Sequence, residues 1–291
     1  MPNNIALFKK YTDLLDEVYK ASSKSAVLDM DGALVQAGAN ANEIIIPKLS
    51  MDGLADYDRN SGYVNGNVTL TNETVKFNYE RGRKFSVDAM DNEETAGVAF
   101  GRLSAEFIRT KVVPELDAFR FATYAGIDGI GKASATLSTG EAVLTAILVA
   151  NNEMDEAEVP EDSRYLFITP TLYNIANSVD SYKSKAVLDK FAGVIQVPQS
   201  RFYSAIDLYD GKTDGEEAGG FVKNVDVGRN INFLTVHKPA AIQFSKHIVN
   251  KIFSPEENQS ADAWLFNYRA YGIADAYENK AAGIYLHTAE I

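Results

Sequence analysis

The sequence predicts an α+β protein from which a long two-stranded ribbon projects. The first observation is a strand-like alternation that places Val75, Phe77 and Tyr79 on one face and polar side chains on the other. The second is a helical apolar period over residues 92–113, and the third is a β-rich end of the chain from residue 231. Strands grouped apart from a mixed middle favour the α+β class.

The composition allows a sizeable folded core and excludes several kinds of function. The chain has 291 residues, of which 46% are apolar and 23% charged, close to ordinary globular domains. It has no cysteine, which excludes disulfides, thiolate zinc sites and cysteine nucleophiles. Its 28 basic and 40 acidic residues give a net charge of −12, which argues against a surface that grips nucleic-acid phosphates. No apolar run approaches the roughly 20 residues that cross a bilayer, so no membrane partner is expected.

Residues 1–42 are expected to form an N-terminal arm. Residues 5–20 carry apolar side chains at helical spacing, which predicts a short amphipathic helix. The stretch 21–42 is rich in Ser, Ala, Gly and Asn and is typical of a linker. The first residues show no apolar core followed by a cleavage site, so no secretion signal is predicted.

Residues 43–90 are predicted to form the extended ribbon. An apolar, β-branched run at 43–49 starts it, and the Asp-, Asn- and Gly-rich stretch 56–67 predicts the turn at its tip. Val68 and Leu70 are out of phase with the later alternation, which predicts a bulge or register break near Asn72.

The ribbon is also the predicted contact between subunits. A two-stranded ribbon is marginally stable alone in water, and no adjacent segment clearly covers its apolar face. We therefore expect it to pack on a neighbouring copy of the chain. The predicted contact residues are Val75, Lys76, Phe77 and Tyr79.

The clearest helix covers residues 92–113. Asp91 and Glu94 form a start similar to a capping box, with acidic side chains at the positive end of the helix dipole. Pro114 is expected to end or kink the helix. Its apolar stripe is expected to pack on the alternating strand 264–277 of the same chain. The predicted core residues of this helix are Leu103, Phe107 and Ile108.

The rest of the chain alternates helices with strands and then becomes β-rich. The predicted helices are 139–154 and 170–178. The predicted strands are 164–168, 194–197, 231–236, 241–244, 264–277 and 283–287. An acidic, Gly-rich loop is expected at 210–220.

Residues 26–34 resemble the first motif of haloacid-dehalogenase-type phosphatases, in which a buried strand presents two aspartates. Asp29 and Asp31 would be the nucleophile and the general acid. Ala33 stands where that family carries threonine or valine, residues 22–25 are not a buried strand, and no later acidic pair is found to hold magnesium. An exposed Asp-Gly turn is the preferred interpretation.

Residues 126–133 match the spacing of a phosphate-binding P-loop except at its last position. Ala133 replaces the Ser or Thr that ligates magnesium, so a Gly-rich hinge between two lobes explains the stretch better. The three histidines, His237, His247 and His287, share no metal-ligand spacing. No catalytic residue, cofactor or metal site is therefore predicted.

Four segments occur in an order and spacing that resembles the major capsid proteins of tailed phages infecting Gram-positive bacteria. They are Phe85–Thr95, Val113–Arg120, Tyr165–Pro170 and Tyr268–Gly272. The resemblance implies the Hong Kong 97-type capsid fold. Its parts would be an N-terminal arm (1–42), an extended loop (43–90), a peripheral domain with a long spine helix (91–125 and 236–291) and an axial domain (126–235).

The same resemblance implies a structural function without catalysis. Hexamers and pentamers of the chain would form an icosahedral head that encloses double-stranded DNA without sequence-specific binding. The head would assemble in the cytoplasm of the bacterial host and become part of the virion. Many relatives carry a longer N-terminal segment that acts as a scaffold and is removed. Because only a short arm is found here, either the scaffold is a separate protein or the N-terminus is already trimmed. Met1 favours a separate scaffolding protein, and a portal protein is expected with it.

Three alternatives stay open at this point. An encapsulin-like nanocompartment would share the fold but enclose enzyme cargo. A haloacid-dehalogenase-type phosphatase would use Asp29. A soluble αβ monomer would form no assembly at all.

Overall fold

A computed structural model of the chain describes residues 23–30, 36–37, 43–60, 62–94, 98–179 and 181–290. The strands are β1 (Gln36–Ala37), β2 (Glu43–Met51), β3 (Val68–Lys76), β4 (Tyr79–Asp88), β5 (Gly131–Ser134), β6 (Arg164–Ile168), β7 (Gly193–Gln196), β8 (Ile206–Leu208), β9 (Phe221–Lys223), β10 (Ile231–His237), β11 (Ala241–Phe253), β12 (Ala263–Ala276) and β13 (Ile284–Thr288). The α-helices are α1 (Ala89–Glu94), α2 (Val98–Phe107), α3 (Val113–Gly126), α4 (Gly140–Glu156), α5 (Pro170–Asn177) and α6 (Ser181–Leu188). This content confirms the predicted α+β class.

A five-stranded mixed sheet forms the centre of one lobe. Its order is β5-β13-β10-β6-β7, with antiparallel pairs in the middle and a parallel pair at each edge. Both faces are covered, which explains why β6 and β10 read as nearly continuous apolar runs. Helices α4, α5 and α6 cover one face, around Leu166, Ile168 and Phe233. The helices and strands predicted for residues 139–237 are confirmed, with shifts of one or two residues at their ends.

A second, three-stranded sheet of long strands forms the other lobe. Its order is β11-β12-β4, and all of its pairs are antiparallel. Phe266, Tyr268 and Ala270 on one face of β12 form a cluster with Ile108 and Leu116 of the long helix beside them. The alternation along β12 supplies this apolar face, and the helix covers it.

The helix that covers this sheet, called the spine helix below, runs without interruption over residues 98–126. It consists of α2, a π-helical turn at Ile108–Val112, and α3. The sequence predicted that the helix ends at residue 113, before Pro114. This is wrong, because the helix continues through Pro114 to Gly126. A π turn changes the hydrogen-bonding pattern immediately before the proline, and Pro114 then lies in the first turn of α3, where its missing N–H is tolerated.

The last turns of the spine helix pack on the other lobe. Phe121 and Tyr124 are fully buried in a cluster on the second face of the five-stranded sheet, with Leu28 and Phe202. The Phe121 ring centroid lies 5.2 Å from that of Phe167 and 5.0 Å from that of Phe202, both in edge-to-face orientation. One helix thus contributes to the cores of both lobes.

Two predicted boundaries differ from the observed pairing. β4 pairs along its whole length with β12 and belongs to the three-stranded sheet, so the ribbon ends at Lys76 rather than at residue 90. β13 pairs with β10 and β5, so residues 284–288 lie in the five-stranded sheet although they were assigned to the peripheral part. In both cases the strand pairs with a segment that is distant in sequence, which the local pattern does not reveal.

The aromatic contacts of Phe107 give a stability prediction. Its ring is half-buried and lies within 4.8 Å of the Phe85 centroid and 5.9 Å of the Tyr268 centroid. We expect Phe107→Ala to lower the free energy of unfolding by about 2–3 kcal/mol, below the roughly 3–5 kcal/mol of a fully buried phenylalanine. Denaturant unfolding of the purified protein measures this change, with Phe121→Ala as the fully buried reference. A Phe107→Ala protein as stable as the wild type would contradict the packing.

Candidate functional site

The residues that resemble the phosphatase motif do not have the backbone structure that a phosphatase active site requires. Ala26–Leu28 form a 3-10 turn and not the buried strand that would present a nucleophile. The Asp29 carboxylate accepts a hydrogen bond from Gln243 Nε2 at 2.7 Å and lies 3.2 Å from Arg120 Nη2. It is therefore engaged in holding its own segment against the rest of the chain. Asp31 and Ala33 lie outside the described residues.

The stretch that resembles a P-loop has the wrong order of elements. Gly126 is the last residue of α3, and a turn with φ +80° at Gly129 leads directly into β5. A P-loop needs a strand before the glycines and a helix after them, so that the helix N-terminus meets the phosphate. Here the helix comes first and the strand second. Ile127 and Ile130 pack in the same cluster as Phe121 and Tyr124, on the five-stranded sheet, and the hinge interpretation stays a prediction.

The described residues contain no group of three or more His, Asp or Glu side chains arranged to hold a metal ion. His237 and His287 are buried at separate places, and the His287 ring stacks on Phe233 at 4.8 Å between centroids. His247 is exposed on β11. None of the described helices combines the length and the apolar character that crossing a bilayer requires.

The ribbon of β2 and β3 is the most prominent exposed feature among the described residues. The two strands pair in continuous antiparallel register from Glu43 opposite Lys76 to Met51 opposite Val68. The predicted register break near Asn72 is therefore wrong, since Asn72 lies opposite Pro47 in an unbroken ladder. The apolar residues do switch from one face of β3 to the other, but without a break in strand pairing. The outer and inner halves of β3 therefore present their apolar side chains on opposite faces.

The outer half of the ribbon exposes a group of large apolar side chains, called the ribbon patch below. Leu49 pairs with Leu70, and Met51 pairs with Val68, so all four lie on one face. Their exposed fractions are 54%, 66%, 64% and 69%. Further exposed apolar residues at the tip are Leu54, Tyr57, Tyr63 and Val64. Contiguous exposed apolar surface of this kind is typical of an interaction site.

The residues that the sequence assigned to the contact between subunits lie elsewhere. Val75 is buried with Ile242 and Ile273, and Tyr79 is buried in the cluster under the spine helix. Phe77 is half-buried and stacks on Tyr271, with 4.7 Å between the ring centroids. Their own chain therefore covers Val75 and Tyr79 and partly covers Phe77, and a contact of these side chains with a neighbour stays a prediction. Lys76 is exposed, and its contact with a neighbour stays a prediction.

The junction between the ribbon and the three-stranded sheet is fixed by Asn78. Its side-chain amide donates to the Ala274 carbonyl at 2.7 Å, and its oxygen accepts from the Ala274 N–H at 3.1 Å. This pair of bonds substitutes for strand pairing where the chain passes from β3 to β4. The base of the ribbon is thereby attached to β12, while the ribbon patch is left uncovered by the described residues.

The predicted core residues of the spine helix all lie beside the three-stranded sheet. Ile108 is buried, and Leu103 and Phe107 pack against the same cluster. Leu103 and Phe107 also line a groove of about 740 Å³ between the spine helix and residues 209–221. On its wall, Arg81 Nε lies 2.7 Å from Glu115 Oε1. Burial, with the nearby Glu115 carboxylate adding to it, raises the pKa of the Tyr79 hydroxyl well above its usual value, so Tyr79 stays neutral.

Comparisons with known proteins identify the fold. No protein-family model and no curated protein matches the chain. The structure of Gordonia phage Cozz matches with a TM-score of 0.61 at 12% identity, over 93% of this chain and 87% of that one. The capsid of cyanophage P-SCSP1u matches with a TM-score of 0.55 at 12% identity, over 90% of this chain and 86% of that one. This chain has the Hong Kong 97-type phage capsid fold.

A further match with this capsid fold is a virus-like particle from Pyrococcus furiosus. Its TM-score is 0.54 at 11% identity, and the match covers 96% of this chain and 99% of that chain. The ribbon of β2 and β3 and the helix at 98–126 occur where the sequence predicts the extended loop and the spine helix, and their assignment to those parts of the capsid fold stays a prediction. The N-terminal arm is described only at 23–30 and 36–37, and the helix predicted at 5–20 lies outside the described residues.

Sequence reasoning missed a buried polar cluster around Asp117. Asp117 and Arg120 are almost completely buried on the spine helix, where the sequence suggested only an apolar stripe. The one available signal was the placement of an aspartate and an arginine three residues apart inside the stretch Val112–Phe121, which is apolar apart from these two and Glu115. Buried charges of this kind require partners. The sequence does not say that these partners come from residues 23–29, 201 and 245.

The buried histidines give a pH prediction. Burial lowers the pKa of His287, and burial together with the nearby charges of Arg164 and Lys280 lowers the pKa of His237. A histidine whose pKa is lower in the folded state takes up its proton more readily when unfolded. Its contribution therefore destabilises the fold as the pH falls below about 6.5, the ordinary histidine value.

The experiment compares variants and measures how the unfolding midpoint changes between about pH 7 and pH 5, the range in which histidine titrates. We expect His287→Gln to flatten this slope, even though it also lowers stability overall through lost stacking. The control is His247→Gln, an exposed histidine, which should keep the wild-type slope. An unchanged slope in His287→Gln would contradict the prediction.

Proposed function

We propose that this chain is the structural subunit of a tailed-phage head and that the ribbon patch joins each subunit to the next. The ribbon patch carries the proposal, since four large apolar side chains are aligned on one face of a two-stranded ribbon and left uncovered by the described residues. Such a ribbon is marginal in water unless its apolar face is buried. The capsid fold supports a neighbouring copy as the cover.

The contact we propose is heterologous, because the ribbon patch meets a different surface of its neighbour. Contacts of this type form closed rings when the rotation closes, which suits the hexamers and pentamers of a head. Many weak contacts per subunit then add up to a stable shell. The peripheral domain would contain the spine helix with β4, β11 and β12. The axial domain would contain the five-stranded sheet, including β13.

The finer parts of the proposal follow from the same fold. The head would be an icosahedral virion component, assembled in the bacterial cytoplasm with separate scaffolding and portal proteins. It would enclose double-stranded DNA without sequence-specific contacts. The net charge of −12 supports this role, because an acidic container repels phosphates and leaves packaged DNA free to leave. The subunit would be structural and not an enzyme.

The ribbon patch is tested by Leu70→Asp. A charge at this position should oppose burial against a neighbour while leaving the subunit folded, because Leu70 makes little contact with its own chain. We expect a wild-type circular dichroism spectrum and an unchanged unfolding midpoint, but no particles in sedimentation or negative-stain microscopy. The matched control is Thr69→Asp, which adds the same charge one residue away on the opposite face of the same strand. Thr69→Asp should assemble.

Two results would count against the proposal. Normal particles from Leu70→Asp would show that the ribbon patch is not buried on assembly. Loss of particles in both variants would show that the whole ribbon is sensitive to charge and that the face assignment is wrong.

A cargo-enclosing compartment is the second candidate, favoured by the match with the virus-like particle from Pyrococcus furiosus. It requires the same ribbon contact and differs only in what the shell contains. Purified particles treated with nuclease distinguish the two. Protected double-stranded DNA supports a phage head, and a stoichiometric second protein without DNA supports a compartment.

The phosphatase alternative has a direct assay. Because Asp29 is held by Gln243 and Arg120, we expect no magnesium-dependent hydrolysis of p-nitrophenyl phosphate by the wild-type protein. Asp29→Asn should give the same background rate. Hydrolysis that disappears in Asp29→Asn would overturn the structural role of this residue.

A further inference from the structure

The segment Ser23–Met30 is bound to the body of the subunit by one buried carboxylate. Asp117 of the spine helix is fully buried and accepts hydrogen bonds from Ser23 Oγ at 2.8 Å, Lys24 N at 2.9 Å, and Ser25 N and Oγ at 3.1 and 2.6 Å. Two successive backbone N–H groups and two hydroxyls thus converge on one side chain. This arrangement is specific, because an ionised carboxylate is the acceptor that such a set of donors best satisfies.

The same carboxylate also reaches the other lobe. Arg201 belongs to the 3-10 turn Gln199–Arg201, and its Nη1 lies 3.0 Å from Asp117 Oδ2. The Arg201 side chain is 16% exposed, so this ion pair is largely shielded from water. Asp117 therefore joins three parts of the chain: the spine helix, the lobe of the five-stranded sheet, and the segment Ser23–Met30.

A second anchor holds the other end of the segment. Arg120 donates to Ser25 Oγ at 2.9 Å and lies 3.2 Å from Asp29 Oδ1. Gln243 Nε2 donates to the Ser25 carbonyl at 2.8 Å and to Asp29 Oδ1 at 2.7 Å. Between the two anchors, Leu28 is fully buried in the cluster that contains Phe121 and Phe202. Val27 and Met30 also pack against core clusters, and the Met30 N–H donates to the Gln243 carbonyl at 2.9 Å. Apolar contacts and two charged anchors together account for the attachment.

We propose that Ser23–Met30 acts as a clasp. It fixes the orientation of the lobe of the five-stranded sheet relative to the spine helix. The chemistry of the contacts makes the clasp able to open. Buried ion pairs lose hydration when they form, and opening returns water to Asp117, Asp29 and Arg120. Polar partners also fix one geometry, since each donor must meet its acceptor.

Only the effect of the clasp on the shell rests on the proposed function. In a closed shell the angle between the two lobes sets the curvature at which neighbouring subunits meet. A subunit with an open clasp has a less defined angle and gives shells of mixed size. The state of the clasp itself is a property of the single subunit and can be measured without assembly.

Limited trypsin digestion of native, unassembled subunits measures the clasp. Cleavage between Lys24 and Ser25 requires the segment to leave Asp117. We expect Asp117→Asn, Arg201→Met and Asp29→Ala each to accelerate this cleavage roughly tenfold, because each removes a charged anchor and raises the population of the locally open state. Arg201→Met and Asp29→Ala keep the test decisive if Asp117→Asn does not fold.

The matched control is Asp155→Ala. Asp155 pairs with Arg164 at 2.7 Å, with side chains 39% and 3% exposed, close to the 39% and 2% of Asp29 and Arg120. It lies far from the clasp in the chain and should leave cleavage after Lys24 at the wild-type rate. Equal cleavage rates in Asp29→Ala and wild type, or an equal acceleration in Asp155→Ala, would overturn the clasp.

Assembly gives the second readout. Clasp variants should form particles with a broader distribution of diameters in negative-stain microscopy, whereas Asp155→Ala should give the wild-type distribution. Wild-type diameters from clasp variants that show fast cleavage would overturn the link to shell geometry. If the wild-type chain forms no particles, the proposed function fails, while the cleavage rates still decide whether the clasp exists.

Discussion

The burial of the spine helix by two different lobes is the constraint on which the rest of the structure depends. The helix covers the apolar face of the three-stranded sheet with Ile108 and Leu116, and it enters the core of the five-stranded sheet with Phe121 and Tyr124. In a regular helix, apolar residues must recur at the helical spacing along the whole length to form one continuous stripe. The π turn at Ile108–Val112 inserts extra backbone at the middle of the helix. Such an insertion changes the direction in which the following side chains point, and both Leu116, which packs on the three-stranded sheet, and Phe121, which packs on the other lobe, follow it.

The two lobes have different energetic characters. The five-stranded sheet is covered on both faces and has fully buried aromatic rings, so its shape is fixed by packing. The outer half of the ribbon has no such cover among the described residues. Its inner half is held by Asn78, which bonds to Ala274, by the packing of Val75, and by β1, which pairs with β2. Between these extremes lies the junction, where Asp117 and Arg120 replace apolar packing by charged hydrogen bonds. The chain therefore has a tightly packed lobe, a polar junction and an exposed ribbon, a division that would suit the proposed contacts with several neighbours.

Local patterns predicted the elements well, but not the partners of those elements. The helical spacing of apolar residues over 139–154 and the apolar run 164–168 were sufficient to predict a helix and a strand, because each pattern lies within one short segment. The alternation of Val75, Phe77 and Tyr79 correctly indicated an apolar face, but alternation does not reveal which surface covers it. The partners, Ile242, Ile273 and Tyr271, lie almost two hundred residues later in the sequence. The continuation of the helix past Pro114 was missed for a different reason, since a π turn has no sequence signature comparable to a cap. The capsid resemblance recovered the fold because it uses the order of many weak segments together.

The apolar side chains in the two halves of β3 face opposite ways, so the two halves are subject to different constraints. Val75 faces the interior of its own subunit, whereas Leu70 and Val68 face away from it. A substitution at the base therefore affects the folding of the single chain. In the proposed shell, a substitution in the outer half would affect only the contact between copies, and it could be compensated by a change on the neighbour's surface without any loss of foldability. Insertion of a single residue between the halves would exchange the faces and couple the two requirements again.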